Sequence, residues 1–410
     1  MSDGKRQRLS QARKKLVLLA IGLCLGIATA EVALRLAGVS YPQPYAPDPH
    51  CGTRLRPAFE GWWQAEGAAY IRINRFGFRH GARAPHKPPG TWRVAVLGDS
   101  FIEAFQVPEE QTFCAQLERR LQACADFSDR RVEVLNFGVS GFGTAQELLM
   151  LRHYAARYQP DLVLLAVFPG NDLRNNSAEL EPYPVRPFYR LQSGQLVLDN
   201  SFRQHPDYVK AQAAWVRCKV AVTDRLRTLQ LVYKLRDAWR RQAAAAETDG
   251  GDGTDQRIVG PGVDVEALAE PQNEPWRRAW ELTERLLAET AAEAARQRAR
   301  FLVLTVGSDV QVHPDPAIHE AACGQLGVPN LLYADRRLAQ WGQQQGIGVI
   351  QLVEPMSRYA SQRQTYLHGF DNTLPGTGHW NAEGHRLAAE IAAAAIVAAV
   401  RSSNTREPSR

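Results

Sequence analysis

The chain has 410 residues, of which 45% are hydrophobic and 22% charged, and this ordinary globular composition excludes a disordered or fibrous protein. The formal net charge is +6, but six basic residues and one acidic residue precede residue 16, so the rest of the chain is close to neutral. A nearly neutral domain lacks the basic surface that binds nucleic acid. We therefore predict no nucleic-acid partner and interpret the basic tail as a membrane-topology signal.

An apolar segment follows the basic tail directly, and residues 16–30 contain no charged side chain. Apolar residues continue to residue 37, so the segment comes close to the roughly 20 residues that span a bilayer. Three interpretations remain: an anchor that spans the membrane through residues 16–37, a signal peptide cleaved after the small residues Ala28 and Ala30, and a buried helix of a soluble protein. The first two place the rest of the chain on the periplasmic or extracytoplasmic side, because the basic tail stays in the cytoplasm.

The composition also predicts the domain organisation. Residues 1–40 hold the basic tail and the membrane segment, and residues 41–90 form a spacer and an N-terminal extension that we expect to pack on the main domain. Residues 91–402 form the main domain, with an insertion at about residues 175–275, and residues 403–410 form a disordered tail. No Cys or His cluster has the spacing of a zinc site, so no metal is predicted, and the pairing of the six cysteines stays open.

Five short runs are nearly continuous in Val, Leu, Ile and Ala, which is typical of strands covered on both faces. The runs are Arg93–Leu97, Arg131–Asn136, Leu162–Phe168, Arg300–Val306 and Gly348–Leu352. Helical stretches lie between or after them, at Gln111–Gln122, Ala145–Tyr158, Trp276–Arg298 and Ala382–Val400. This alternation of strands and helices predicts an α/β fold with a parallel sheet and right-handed crossovers.

The third and fourth predicted strands are separated by more than one hundred residues, which is too long for a plain crossover. The insertion contains a predicted hairpin at Phe188–Asp199, a helical segment at Ala213–Arg241 and a flexible low-complexity loop at Ala243–Thr254. Because it starts beside the end of the third strand, we expect it to form a lid or a wall of the substrate site.

Ser100 follows the first predicted strand directly, in the run Gly98-Asp99-Ser100. Open α/β sheets place their reactive groups at the carboxyl ends of strands. A serine hydroxyl becomes a strong nucleophile when a base accepts its proton and donors stabilise the oxyanion that forms. Taken alone, Ser100 would be interpreted as an ordinary helix N-cap, so its function depends on what the rest of the chain supplies.

Three other segments supply the base and the donors. The glycine-rich segment after the second strand offers the backbone N–H of Gly141, and the third strand is followed by Asn171, whose amide can donate to an oxyanion. His379 precedes the last helix and can act as the base. We therefore predict Ser100 and His379 as catalytic residues, and Ser100, Gly141 and Asn171 as the oxyanion hole.

These residues resemble the SGNH or GDSL-type hydrolase superfamily in four blocks and in their order. The blocks are Gly98-Asp99-Ser100, Gly141, Gly170-Asn171-Asp172 and His379, and the resemblance covers Val94 to about Val400 without the insertion. It implies a flavodoxin-like three-layer α/β/α sandwich with five parallel strands in the order 2-1-3-4-5. It also implies hydrolysis or transfer of acyl groups on lipids, thioesters, peptidoglycan or polysaccharides, without a cofactor. A membrane segment before such a domain is similar to exported bacterial members.

The sequence departs from the family pattern at the acid that orients the histidine. The positions two and three residues before the histidine, where the family carries an aspartate, are Thr377 and Gly376 here. Asp371 is the nearest candidate before the histidine, and a turn at Pro375-Gly376 could bring it back to complete a catalytic triad. A Ser–His dyad assisted by a backbone carbonyl is the alternative, since loss of the acid lowers the rate without removing the oxyanion hole.

The sequence thus predicts an exported, membrane-anchored serine esterase that acts through an acyl-Ser100 intermediate. Its expected substrate is an acyl ester, above all an acetyl ester, of a carbohydrate, cell-envelope component or lipid. Two alternatives remain: an O-acyltransferase that uses the same residues on a polysaccharide, and a non-catalytic envelope or carbohydrate-binding protein. Asp99, Asp172 and His385 are interpreted as structural residues.

Overall fold

The computed structural model describes residues 3–41, 43–248 and 263–404. It divides into two compact units. The first, which we call the helical unit, comprises residues 1–43 and 213–255, and the second, the sheet unit, comprises residues 44–212 and 256–410. The predicted insertion is therefore divided, because its central part belongs to the same unit as the N-terminal helix.

The strands in chain order are β1 (Tyr45–Asp48), β2 (Gly52–Leu55), β3 (Glu60–Trp63), β4 (Ala69–Arg72), β5 (Thr91–Leu97), β6 (Arg131–Asn136), β7 (Leu162–Val167), β8 (Phe188–Gln192), β9 (Gln195–Asp199), β10 (Arg300–Thr305) and β11 (Gly348–Gln351). The α-helices are α1 (Asp3–Leu36), α2 (Ser100–Glu103), α3 (Phe113–Ala123), α4 (Thr144–His153), α5 (Pro169–Asn176), α6 (Pro206–Gln212), α7 (Ala214–Arg225), α8 (Arg227–Thr248), α9 (Glu274–Arg296), α10 (Pro316–Leu326), α11 (Tyr333–Gln345), α12 (Val353–Arg363) and α13 (Ala382–Asn404).

A five-stranded parallel sheet forms the centre of the sheet unit, with the strands in the order β6-β5-β7-β10-β11. In the order of their appearance along the chain this is 2-1-3-4-5, so the predicted fold class is confirmed. In the middle of the sheet, Val94 of β5 pairs with Val134 of β6 and with Leu162 of β7. The carboxyl ends of these strands therefore lie at one edge, where Ser100 follows β5.

Helices cover both faces of the sheet, and the side chains of β5 alternate between the two faces as a pleated strand requires. Ala95 and Leu97 pack in a cluster with α4, α9 and α11. Val94 and Val96 pack in the opposite cluster with α3, α12 and α13. All seven residues of β5 are buried as a result, which explains why the strand is an almost continuous apolar run.

Most of the predicted elements exist with small shifts of their ends. The five sheet strands agree with the predicted runs to within two residues, and the predicted hairpin is the antiparallel pair β8–β9. The loop predicted at Ala243–Thr254 is wrong in its first part, because α8 continues to Thr248, and residues 249–254 lie outside the described residues. The predicted disordered tail begins inside α13, which continues to Asn404, and residues 405–410 also lie outside them.

Two hairpins, β1–β2 and β3–β4, make up much of residues 44–90 and belong to the sheet unit. In the helical unit, the segment Gln11–Leu36 of α1 has 26 residues and is long and apolar enough to cross a membrane, a description that an N-terminal signal sequence also meets. The six cysteines all lie in the described part of the chain, and none of them forms a disulfide there.

Candidate active site

Ser100 lies at the first position of the short helix α2, directly after the carboxyl end of β5. Asp99 is the N-cap of this helix, and its Oδ1 accepts a hydrogen bond of 3.0 Å from the backbone N–H of Phe101. The preceding turn is tight, since a Cβ at Gly98 would lie 2.5 Å from Cγ1 of Ile102. Asp99 is therefore the N-cap, and the Ser100 hydroxyl is not used to cap the helix.

His379 reaches Ser100 from the other end of the sheet unit's sequence, and its Nε2 lies 2.8 Å from Oγ of Ser100. In the loop that carries His379, both backbone polar groups of the preceding residue, Gly378, have partners. The backbone N–H of Gly378 donates to Oδ2 of Asp309 at 3.0 Å, and its carbonyl oxygen lies 2.6 Å from Nδ1 of His368. These contacts fix the position of the imidazole before any substrate is present.

The second ring nitrogen of His379 contacts Glu66, a residue that the sequence analysis did not single out. Oε2 of Glu66 lies 2.5 Å from Nδ1, and Oε1 accepts a hydrogen bond of 2.7 Å from the backbone N–H of His379. Asp371, the predicted orienting acid, does not occupy this position, so that expectation is corrected. Gly376 is one of the two positions at which the family resemblance places an aspartate. Its φ is +77°, and a Cβ there would lie 2.6 Å from the ring of His313, so this position disfavours any side chain.

Glu66 lies in the turn between β3 and β4, and the side chain of Asn372 holds that turn in place. The backbone N–H of Gly67 donates to Oδ1 of Asn372 at 2.9 Å, and Nδ2 of Asn372 donates to the carbonyl oxygen of Gly67 at 3.1 Å. On the histidine side, a Cβ at Gly378 would lie 2.3 Å from Oε1 of Glu66, with φ at +78°. The close approach of carboxylate and loop therefore requires glycine at position 378.

The charges around His379 favour its protonated form. Burial alone would lower the pKa of His379, but the hydrogen bond and the charge of Glu66, followed by the charges of Asp99 and Glu103, raise it above its ordinary value. For Glu66, burial would raise the pKa, but its contacts with His379 outweigh that effect and lower it. The pair is thus a carboxylate beside an imidazole that accepts a proton readily.

Ser100, Gly141 and Asn171, the predicted oxyanion donors, line one cavity. In the part of the chain that the structure describes, neither the N–H of Ser100 nor that of Gly141 has a hydrogen-bond partner. The loop is held next to this N–H by the carbonyl oxygen of Gly141, which accepts from Nη2 of Arg186 at 2.5 Å and from Nδ2 of Asn175 at 3.3 Å. Nδ2 of Asn171 donates to Oδ2 of Asp99 at 3.1 Å, which fixes the direction of its amide and leaves its second N–H for a ligand.

The buried carboxylate of Glu103 contacts the loop that carries Gly141. Its Oε1 accepts from the backbone N–H of Ser140 at 3.0 Å, and its Oε2 accepts from the hydroxyl of Tyr45 at 2.8 Å. Burial raises the pKa of Glu103 to about 7, against the lowering effect of these hydrogen bonds. Glu103 therefore connects strand β1, helix α2 and the Gly141 loop in one hydrogen-bonded group.

The four predicted residues Ser100, Gly141, Asn171 and His379 line one cavity of about 410 Å³. Its other walls are both apolar, as at Phe101, Phe168 and Val185, and polar, and they come from β2, from the segments after β6, β7 and β10, and from the loop before α13. They include Thr53, Ser140, Arg174, Asn175, Glu181, Tyr183, Arg186, Val263, Ser308 and Asp309. Of the predicted insertion, the described residues that line this cavity belong to its first part, with Val263.

The residues that the sequence analysis interpreted as structural, Asp172 and His385, lie in a turn and in the core. Oδ2 of Asp172 accepts the backbone N–H of Phe168 at 2.9 Å and thereby closes the turn that carries Asn171. His385 is buried against Trp380, and burial lowers its pKa to about 3. Within residues 3–41, 43–248 and 263–404, no group of three or more His, Cys, Asp and Glu side chains is arranged to hold a metal ion.

Fold and site together define a class: an α/β protein with the sheet order of the SGNH hydrolases and a hydrogen-bonded Ser–His–Glu chain at the carboxyl edge of that sheet. No protein-family profile and no curated protein matches the sequence.

Solved structures of similar fold include an α/β hydrolase, LAE5, from the metagenome of Lake Arreo, at 15% identity and a TM-score of 0.36, covering 76% of this chain and 97% of that one. They also include a mutant of the acetylxylan esterase Axe2 from Geobacillus stearothermophilus, at 10% identity and a TM-score of 0.37, covering 74% and 94%. A GDSL-like lipase from Bacteroides thetaiotaomicron is 11% identical, with a TM-score of 0.34 and coverages of 78% and 93%. At these identities and TM-scores the likeness concerns the general fold alone.

Proposed function

We propose that this chain is a serine esterase in which Ser100 attacks an ester carbonyl and His379 accepts its proton. The observation that carries the proposal is the hydrogen-bonded chain from Oγ of Ser100 through the imidazole of His379 to Glu66, with distances of 2.8 and 2.5 Å. Because the Glu66 carboxylate can only accept, the proton of neutral His379 lies on Nδ1, and the lone pair of Nε2 faces Ser100. Glu66 then stabilises the imidazolium that forms when the serine proton is transferred.

In the first half-reaction, Oγ of Ser100 forms a bond to the ester carbonyl carbon while its proton passes to Nε2 of His379. The carbonyl oxygen becomes an oxyanion, which receives hydrogen bonds from the N–H groups of Ser100 and Gly141 and from the amide of Asn171. When this intermediate collapses, the bond to the alcohol oxygen breaks, and the imidazolium gives its proton to that oxygen. The products of this step are a free alcohol and acyl-Ser100.

In the second half-reaction, a water molecule attacks the acyl carbon while His379 accepts one of its protons. The same three donors stabilise the second oxyanion, and its collapse breaks the bond to Oγ of Ser100. His379 returns the proton to Oγ, so that a carboxylic acid leaves and the free enzyme is restored. A sugar hydroxyl in place of water would give acyl transfer by the same steps.

The walls of the cavity favour a short acyl group on a polar alcohol. A volume of about 410 Å³ lies at the lower end of the range for ligand pockets, which argues against a long fatty-acid chain. Arg174, Glu181 and Asn175 supply charged and amide groups that suit a hydroxyl-rich alcohol such as a sugar. We therefore infer that the substrate is a short-chain, acetyl-type ester of a carbohydrate.

Helix α1 supports a membrane-anchored form of this esterase. Every residue from 11 to 30 is exposed in the helical unit, although the segment is strongly apolar. An apolar helical segment whose residues are all exposed is stable in a lipid bilayer, and the basic residues before it favour a cytoplasmic N-terminus. We propose that α1 is retained as an anchor and that the sheet unit works on the extracytoplasmic side.

The test of the esterase is a burst of p-nitrophenol when the purified full-length protein in detergent is mixed with p-nitrophenyl acetate. We expect a burst equal to the enzyme concentration, then slower turnover, and much weaker activity on p-nitrophenyl laurate. Unchanged activity in Ser100→Ala would show that the serine is not the nucleophile. Recovery of acetyl groups on an added oligosaccharide, instead of acetate in solution, would assign the protein to acyl transfer.

A further inference from the structure

The helical unit presents two exposed apolar stripes that nothing in the esterase mechanism uses. On α7, Trp215 and Val222 are 57% and 50% exposed, and on α8, Val232, Leu235 and Trp239 are 58%, 60% and 69% exposed. Spacings of three, four and seven residues place such side chains on one side of a helix. Large apolar side chains concentrated in this way on a surface indicate an interaction site.

The junction between α7 and α8 is attached to the end of α1. Oε1 and Oε2 of Glu31 accept hydrogen bonds of 3.0 Å from the backbone N–H groups of Arg227 and Thr228, the first two residues of α8. One turn later, Nη2 of Arg35 donates to the carbonyl oxygen of Arg225, the last residue of α7. The carboxylate thus caps the positive end of α8, and the guanidinium occupies the negative end of α7.

This attachment fixes where the two helices lie along the proposed anchor. Glu31 and Arg35 lie near the outer end of the proposed span at residues 16–37, close to the level at which α1 leaves the membrane. The junction between α7 and α8, which Glu31 and Arg35 hold, therefore lies near the membrane–water interface. Tryptophan is the residue type that is enriched at this level, and both stripes carry one.

The net positive charge of helices α7 and α8 is complementary to an anionic lipid surface. Residues 213–248 contain eight basic and three acidic side chains, whereas the chain beyond residue 15 as a whole is close to neutral. Lys219 and Lys234 extend over the rings of Tyr233 and Tyr41, at 4.5 and 5.2 Å from their centroids. Basic residues combined with an exposed apolar stripe are typical of helices that lie in the headgroup region.

We propose that α7 and α8 form an interfacial helix pair that lies on the outer surface of the membrane crossed by α1, with both apolar stripes in contact with lipid and the basic side chains at the lipid phosphates. The partner is thus a lipid bilayer that contains anionic lipid. The proposal rests on the proposed anchoring by α1 and is independent of the esterase mechanism. Its consequence is that the enzyme is held at the membrane by two elements, the spanning helix and this surface pair.

The experiment uses the full-length protein in nanodiscs made of phosphatidylglycerol and a phosphatidylcholine brominated near the headgroup, because bromine quenches only tryptophans that lie in the lipid. Helix α1 contains no tryptophan, so it contributes no signal of its own. We expect Trp215→Phe and Trp239→Phe each to remove part of the quenching, and the double variant to remove most of it. Trp62→Phe is the matched control, because Trp62 is exposed on the sheet unit, and its replacement should leave the quenching unchanged.

The same nanodiscs separate the possible failures. Cys24, which lies within α1, reports the anchor through its protection from a membrane-impermeant maleimide, as mapped by mass spectrometry. If Cys24 is protected and the double variant is quenched like the wild type, the interfacial placement is overturned while the anchor stands. If Cys24 is labelled, the anchor and the inference fall together. Hydrolysis of p-nitrophenyl acetate by these samples tests Ser100 separately.

Discussion

Glu66 and His379 are joined by two hydrogen bonds, although 313 residues separate them in the chain. One carboxylate oxygen accepts from the backbone of His379, and the other contacts its ring, so the main chain and the imidazole are fixed together. The turn between β3 and β4 is therefore part of the candidate site and not only a covering of the sheet unit.

The first prediction concerns the charge of Glu66. In Glu66→Gln the side chain keeps its size, but it loses the negative charge and presents a donor as well as an acceptor to Nδ1, so the wrong tautomer of His379 is favoured. We expect kcat/KM for p-nitrophenyl acetate to fall by about 10³- to 10⁴-fold. Stopped-flow release of p-nitrophenol measures the change.

The matched control for this prediction is Asp371→Asn, which removes the carboxylate that the sequence analysis predicted as the orienting acid. The two carboxylates lie on neighbouring loops, so general effects on folding or on the electrostatic field should be similar. We expect kcat/KM of this variant to stay within about threefold of wild type, which is a small change in transition-state free energy. A large loss in Asp371→Asn together with an active Glu66→Gln would return the orienting role to Asp371.

The second prediction concerns pH. His379 must be neutral to accept the serine proton, so kcat/KM should rise with pH as the imidazolium loses its proton. Because Glu66 raises the pKa of His379, the midpoint of this rise should lie above the ordinary histidine value of about 6.5. Removing the negative charge in Glu66→Gln disfavours the imidazolium, so the midpoint should move to lower pH. A midpoint that stays fixed in this variant would mean that Glu66 exerts no charge effect on the imidazole.

The third prediction concerns the space beside Gly378. A methyl group at this position would lie 2.3 Å from Oε1 of Glu66 and would displace the carboxylate, and we expect Gly378→Ala to lower kcat/KM by about 100-fold. Gly346→Ala is the control, since Gly346 has a similar φ of +68° and no heavy atom within 4 Å of the added Cβ. Both variants carry the same backbone strain, so equal losses of activity would assign the effect to strain instead of to Glu66.

The fourth prediction concerns Asn171. Its amide is held by Asp99 and should donate to the oxyanion more strongly than to the ground-state carbonyl. Asn171→Ala should therefore lower kcat by about 10²- to 10³-fold with little change in KM. A rise in KM with unchanged kcat would instead indicate that Asn171 binds the ground-state substrate.

The central sheet could be predicted from the sequence because its strands are buried on both faces and therefore read as apolar runs. The candidate site residues Ser100, Gly141 and Asn171 could be predicted for a related reason, since each follows one of those runs. β5 begins two residues earlier than predicted, at Thr91, because Thr91 and Trp92 pair with Arg131 and Val132 of β6.

Other helices and one contact of the candidate site could not be predicted from the sequence. Helix α10 has one buried residue, Ala322, so its sequence lacks an apolar period, and α12 contains Pro355, which a first helical turn accommodates. Glu66 lies in a hairpin turn, far along the chain from His379, and no local spacing connects the two. Only the folded sheet unit brings that turn beside the loop of Gly378.

The measurement that tests the account most directly is covalent labelling of the full-length protein with a fluorophosphonate, followed by mass spectrometry of its peptides. Such reagents modify a serine only when a neighbouring base activates it. We expect one adduct, on Ser100, with rapid labelling in the wild type, much slower labelling in Glu66→Gln and none in His379→Ala. An adduct on another serine, or hydrolysis of p-nitrophenyl acetate by a protein whose Ser100 stays unlabelled, would contradict the proposal that Ser100, His379 and Glu66 act together.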